Sequence, residues 1–184
     1  HRVAGGVLRG VRRVAGTPSM GRLARGVVHD AGHRVGRGHH PGGGLPEPGD
    51  AKPIELAGWP LLAMRGLDGE VRVFHNVCRH RSNRVIDTPC SGLKRLVCSW
   101  HAWSYDLDGR LLATPRIGSE QSDEDSNFDM NDLDLREVAS ACWLDFVMVN
   151  IDGKAAPFHE HIAPLDTLLR SYLFDDVRVG TAWS

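Results

Sequence analysis

The sequence predicts an all-β domain followed by one amphipathic helix, and three observations carry that reading. Short apolar runs, of strand length, recur between turn residues. Two pairs of these runs flank an Asp-Gly step, the signature of a tight β-hairpin. After Asn150 the apolar spacing changes from that of strands to that of a helix.

Residues 1–40 hold eight Arg, no Lys, one acid (Asp30) and half of the histidines, with neither strand nor helix periodicity. Disorder or a non-native extension is expected for residues 1–44, and an Arg-rich, acid-poor start also fits a transit peptide. His1, His29, His33, His39 and His40 lack ligand spacing. The turn-rich stretch Pro41 to Pro48 leads into the domain, which begins near Leu45 and extends over 45–152. Leu61 to Met64 and Val71 to Phe74 flank Leu67-Asp68-Gly69-Glu70, the first hairpin. Leu96 to Val97 is a short strand-like run, and Trp103 to Leu107 with Arg110 to Ala113 flank Asp108-Gly109, the second hairpin. Leu135 to Val138 predicts a further strand and Cys142 to Ile151 a buried one. Glu120 to Asp134 is crowded with Asp, Ser and Asn but lacks the spaced ligands and closing Glu of a calcium loop, so it reads as solvated. In 153–184, Pro157 can open a helix, and Phe158, Ile162, Leu165, Leu168, Leu169 and Leu173 recur at helical spacing. Pro164 marks a point where that helix can break.

The formal net charge of -1 gives no overall pull toward nucleic acid or a membrane surface. No run of about 18 apolar residues and no secretory core is present, which predicts a soluble, cytoplasmic protein. Of the four cysteines, Cys78 and Cys98 sit in Cys-x-His and Cys-x-x-His clusters that suit metal better than disulfides, implying a reducing compartment. Cys90 and Cys142 are read as packing residues. The chain starts at His1 rather than Met and stops just after the extended-looking Val177 to Val179, so it reads as a fragment.

Cys78-x-His80 is followed, after seventeen intervening residues, by Cys98-x-x-His101. Each half joins one thiolate to one imidazole across a short loop preceded by a strand-like run. A Rieske-type [2Fe–2S] cluster asks for this set, two thiolates on one iron and two neutral imidazoles on the other. Tetrahedral zinc also accepts two Cys and two His, although zinc modules usually pair Cys with Cys and His with His. Trp100, Trp103 and Tyr105 can shield such a site from water or serve as ordinary core, and Arg79, Arg81 and Arg84 can steer an acidic redox partner or simply face solvent.

The stretch Asn76-Val77-Cys78-Arg79-His80-Arg81, with Cys98-Ser99-Trp100-His101-Ala102-Trp103-Ser104-Tyr105-Asp106-Leu107-Asp108-Gly109, resembles the α subunits of Rieske non-haem iron ring-hydroxylating oxygenases. The likeness runs from about Leu45 to Val179, with the lead-in Pro48-Gly49-Asp50, the strand Leu61 to Arg65 and the closing segment Asp145 to Asn150. It implies a Rieske-type β-sandwich with a small cluster-binding subdomain, then a C-terminal helix that begins a truncated α+β catalytic domain. It implies a [2Fe–2S] cluster on Cys78, His80, Cys98 and His101, and a mononuclear Fe(II) in the missing catalytic domain. The only late candidates for that iron, His159, Glu160 and His161, sit too close along a helix to face one point, so the chain alone is expected to hydroxylate nothing. The implied partners are a ferredoxin or flavin reductase as electron donor, within a homotrimer or α3β3 assembly. A free-standing Rieske ferredoxin and a zinc-binding interaction module are the alternatives.

The family usually has Gly where this chain has Ser82 and Ala102. A side chain there costs roughly 1–2 kcal/mol if the backbone must be left-handed. High-potential Rieske proteins carry a disulfide between the two cluster loops, at positions that look like Asn83 and Trp100 here, so no such bridge can form. The potential is therefore expected near the bottom of the Rieske range, about −150 mV.

Overall fold

A computed structural model describes residues 44–172, except 120, 121, 124, 126, 144 and 145, together with the backbone strand of residues 25–28. The expectations for the rest of residues 1–43, for Leu173 and for Val177 to Val179 lie outside the described residues.

The strands are β1 (Arg25–Val28), β2 (Ala51–Leu56), β3 (Trp59–Arg65), β4 (Val71–His75), β5 (Leu96–Val97), β6 (Ser104–Tyr105), β7 (Leu111–Ala113), β8 (Glu137–Trp143) and β9 (Phe146–Asn150), followed by helix α1 (Phe158–Leu169). A six-stranded sheet runs β1-β9-β8-β4-β3-β2, and a three-stranded sheet runs β5-β6-β7, every pairing antiparallel. The expected all-β sandwich with a small second sheet is therefore present.

Both predicted hairpins form, and their turn residues show why. Asp68 accepts hydrogen bonds from the Glu70 N–H at 3.0 Å and from the Arg72 guanidinium at 2.6 Å, while Gly69 takes φ 85°. Asp106 Oδ1 accepts from the N–H groups of Asp108 (2.9 Å) and Arg110 (2.8 Å) in the second turn. Gly109 there has φ 82°, and a Cβ on it would meet the Phe74 ring at 2.5 Å. That close approach seats the small sheet on β4.

β3 is buried almost throughout because both of its faces are covered. Alternate side chains point to opposite faces of a strand. Leu62, Met64 and Phe74 join a core with Cys78, Leu96, Cys98, Trp103 and Tyr105, beneath the small sheet. Leu61, Ala63 and Val73 join a second core with Val138, Val147 and Val149 of β8 and β9. The cluster-loop candidates thus hang from a strand pair anchored on both sides.

Three expectations need correction. Cys142 to Ile151 is two strands rather than one, with β8 ending at Trp143 and β9 starting at Phe146. Between the strands Asp145 is the only turn-forming residue, without a Gly, Pro or Asn beside it, so the apolar run reads as one strand. Cys142 is exposed rather than packed. Arg25–Val28, within the stretch expected to be disordered, pairs with β9 from Arg25↔Asn150 to Val28↔Val147. The outer edge of β9 otherwise presents unpaired backbone groups, which any adjacent extended segment can satisfy.

Helix α1 forms at its predicted place, with Pro157 as its N-cap residue, and runs through Pro164 without breaking. The carbonyl that loses its donor belongs to Glu160, on an exposed turn where water can serve it. No residue of α1 is buried.

Candidate metal centre

Two loops carry the four candidate ligands, one after β4 and one between β5 and β6, and they share a backbone shape. In the first, the Cys78 N–H donates to the Asn83 carbonyl at 2.7 Å and the Ser82 N–H donates to the Cys78 carbonyl at 3.0 Å. In the second, the Cys98 N–H donates to the Trp103 carbonyl at 2.9 Å and the Ala102 N–H to the Cys98 carbonyl at 3.0 Å. Ser82 and Ala102 both have φ 58°, the left-handed backbone that favours glycine. The loops differ in their histidine, placed two residues after Cys78 but three after Cys98.

The loops bring the thiols together and the imidazoles together. Cys78 and Cys98 are each 2% exposed, all four cysteines are free thiols, and Cys98 lies close enough to Cys78 to disfavour its ionisation. The rings of His80 and His101 meet edge to face at 4.6 Å between centroids. Among the described residues, no three His, Cys, Asp or Glu side chains converge as they would on one metal ion. The paired thiols and the paired imidazoles match the donor set of a two-iron Rieske cluster, one pair to each iron.

Burial sets the electrostatics. It pushes the Cys78 thiol above its ordinary pKa, against the Tyr105 hydroxyl and a backbone N–H that favour the thiolate. It holds His80 below its ordinary pKa, helped by neighbouring His101 and Arg81, which favours the neutral ring that a metal ligand must present. The Tyr105 oxygen accepts the Arg79 N–H at 3.0 Å and lies 3.3 Å from Cys78 Sγ. Its own hydrogen is therefore free to point at the sulfur.

Asn76, 1% exposed, opens the stretch that resembles the family, yet its role is not visible in the sequence, because an Asn beside a loop looks like a turn residue. Its Oδ1 accepts from the N–H groups of Val85 (3.0 Å) and Ile86 (3.2 Å), and its Nδ2 donates to the Ile86 carbonyl at 2.7 Å. These bonds close the first ligand loop from inside. Of the candidate steering arginines, Arg84 pairs with Glu55 at 2.9 Å and Arg79 reaches the Asp132 carbonyl at 3.2 Å. Arg81 is exposed.

Comparison with known proteins decides the family. A family model, the Rieske [2Fe–2S] domain, matches residues 43–133. The oxygenase subunit of glycine betaine monooxygenase from Chromohalobacter salexigens is 32% identical over 136 residues, 74% of this chain. The α subunit of 2-aminobenzenesulfonate 2,3-dioxygenase from an Alcaligenes species is 36% identical over 119 residues, 64% of this chain. Residues 43–133 therefore carry a Rieske [2Fe–2S] domain, and the relatives that share it are Rieske oxygenase subunits. The chain spans 29% of the length of each of those two relatives. A naphthalene 1,2-dioxygenase structure with bound phenanthrene superimposes on 74% of this chain and 31% of its own, with a TM-score of 0.62 and 25% identity. A quaternary ammonium Rieske monooxygenase covers 68% of this chain and 34% of its own, with a TM-score of 0.60 and 25% identity.

The family implies a [2Fe–2S] cluster, and the residues fit one. His80 Nδ1 is a buried ring nitrogen with no hydrogen-bond partner. An orphaned buried polar atom of this kind costs about 1–3 kcal/mol, which a bond to iron would remove. The paired buried thiols and neutral imidazole supply the donor chemistry that such a cluster requires.

Proposed function

We propose that this chain is the electron-transfer domain of a Rieske oxygenase α subunit, with Cys78, His80, Cys98 and His101 holding the [2Fe–2S] cluster. The observation that carries this reading is that the same two loops pair two buried thiols and pair two imidazoles 4.6 Å apart, one of which has an orphaned Nδ1.

When bound, such a cluster takes up and gives back one electron. The protein's own residues prepare the place. Trp103 and Leu107, both nearly sealed from solvent, help keep water from the thiols, and Asn76 fixes the first loop. The Tyr105 hydroxyl offsets negative charge on the Cys78 sulfur. His80 and His101 are both partly exposed, but His101 lies against Trp100, which is 60% exposed, and in this reading that side is the electron's exit.

The donor in this reading is a ferredoxin or flavin reductase, and the acceptor is a mononuclear Fe(II) outside the described residues. The relatives named above act on a quaternary amine and on an aromatic sulfonate, so either class fits the whole protein. A homotrimer or α3β3 assembly in the cytoplasm completes the reading. No helix among the described residues is long and apolar enough to cross a membrane.

The test is anaerobic reconstitution, followed by iron and acid-labile sulfide analysis and visible and paramagnetic resonance spectra. Equal iron and sulfide with a Rieske spectrum, lost in Cys78→Ala and Cys98→Ala, is the expected result. A colourless protein with stoichiometric zinc, or a Rieske spectrum that survives both substitutions, overturns the assignment.

A further inference from the structure

We infer that Trp103 is a positioning residue for His80, fixing the plane of that imidazole and shielding it, and thereby setting the spectroscopic and redox character of the cluster. This rests on the reading of His80 as a ligand. The Trp103 indole lies 9° from the plane of the His80 ring with centroids 4.7 Å apart, a face-to-face stack, while His101 meets His80 at 80°. His80 is thus held by a flat surface on one side and by the other imidazole at a right angle. Trp103 is itself immobilised, 2% exposed and set edge to face against Phe128 at 5.8 Å.

The backbone gives the contact its meaning. Trp103 closes the second loop with its carbonyl, yet its side chain plates the histidine of the first loop. Asn83 occupies the matching place in the first loop, and its Nδ2 lies 3.9 Å from Cys98 Sγ of the second. Each loop therefore sends one side chain across to the other, and rotation of the His80 ring would have to displace the residue that closes the opposite loop.

The second observation is a buried indole Nε1–H with no partner. A residue present only to fill volume would be apolar, since a buried unmatched donor is unfavourable. The large flat ring matters here for what it does to His80. Outer groups that orient a ligating imidazole also tune its metal.

The experiment uses reconstituted protein with Trp103→Phe, which keeps a stacking ring and removes the N–H, and Trp103→Leu, which keeps apolar volume and removes the ring. Measured quantities are the nitrogen hyperfine couplings of the two imidazoles, the midpoint potential, the rate of cluster loss to a chelator, and circular dichroism as a check on folding. Trp103→Phe should stay close to wild type. Trp103→Leu should alter the couplings of one imidazole, shift the potential and lose its cluster about tenfold faster or more. Should Trp103→Leu not fold, Trp103→Met replaces it. Folded ringless variants with wild-type couplings and potential overturn the inference, as do equal changes in the phenylalanine and the ringless variants. Wild-type protein with no [2Fe–2S] signal would instead strike the ligand assignment on which it stands.

Discussion

Replacing Ser82 and Ala102 by glycine should stabilise the protein, which is unusual for paired substitutions in ligand loops. Both residues have φ 58°, and each N–H donates at 3.0 Å to the carbonyl of the cysteine four residues earlier. The backbone cannot relax to negative φ without losing those bonds. A left-handed residue with a Cβ costs roughly 1–2 kcal/mol, whereas glycine adds about 0.4–1 kcal/mol of unfolded-chain entropy to be lost on folding. Both side chains are exposed, so little packing is forfeited. The net gain is about 0.5–1 kcal/mol per site, and about 1–2 kcal/mol for the pair if the sites add. For a domain of this size, thermal unfolding of the reconstituted double variant should shift upward by roughly 3–5 °C per kcal/mol. An unchanged or lowered midpoint would show that these loops bear no such strain.

Tyr105→Phe removes the hydroxyl 3.3 Å from Cys78 Sγ, and the midpoint potential should fall by up to roughly 65–130 mV, because a bond to a charged group is worth about 1.5–3 kcal/mol and favours the more negative, reduced state of this one-electron couple; protein-film voltammetry would expose an unchanged potential and so a hydroxyl that does not serve the sulfur. Asn76→Ala strips three hydrogen bonds from the first loop and should cost about 2–4 kcal/mol in denaturant unfolding, with a lower iron content after reconstitution; a loss under about 1 kcal/mol would mean the loop closes without it. His75 is held below its ordinary pKa by burial, so its contribution to stability is present above pH 6.5 and is lost as pH falls through the lower folded value. His75→Phe keeps a ring against Trp59, 5.4 Å away in the native pair, and should flatten the wild-type decline between pH 7 and pH 5; parallel wild-type and variant curves would exclude His75 as the source.

The four candidate ligands were legible because short mixed Cys/His pairs between strand-like runs are a local pattern, and local chemistry survives in the sequence. The two Asp-Gly hairpins were legible for the same reason, since Asp68, Gly69, Asp106 and Gly109 settle their turns within a few residues. Even the left-handed sites could be suspected, because Ser82 and Ala102 stand where the family usually has Gly. The boundary between β8 and β9 was hard to see, since Asp145 is the single turn-forming residue between two apolar runs, and β1 is a strand only because β9 offers an edge.

What the sequence by itself determined, then, was the kind of site and the turns that build its supports. The tertiary structure alone decided the surroundings of each candidate ligand. Tyr105 reaches Cys78 across 27 positions, Trp103 covers the histidine of the other loop, and Asn76 bonds a segment ten residues on. Whether β3 is covered on one face or two depends likewise on where β8 and β9 come to lie. Turn geometry follows from short-range backbone sterics and Asx hydrogen bonds, which a few neighbouring residues specify. Burial and ring stacking follow from contacts between distant segments, and these exist only once both cores have closed.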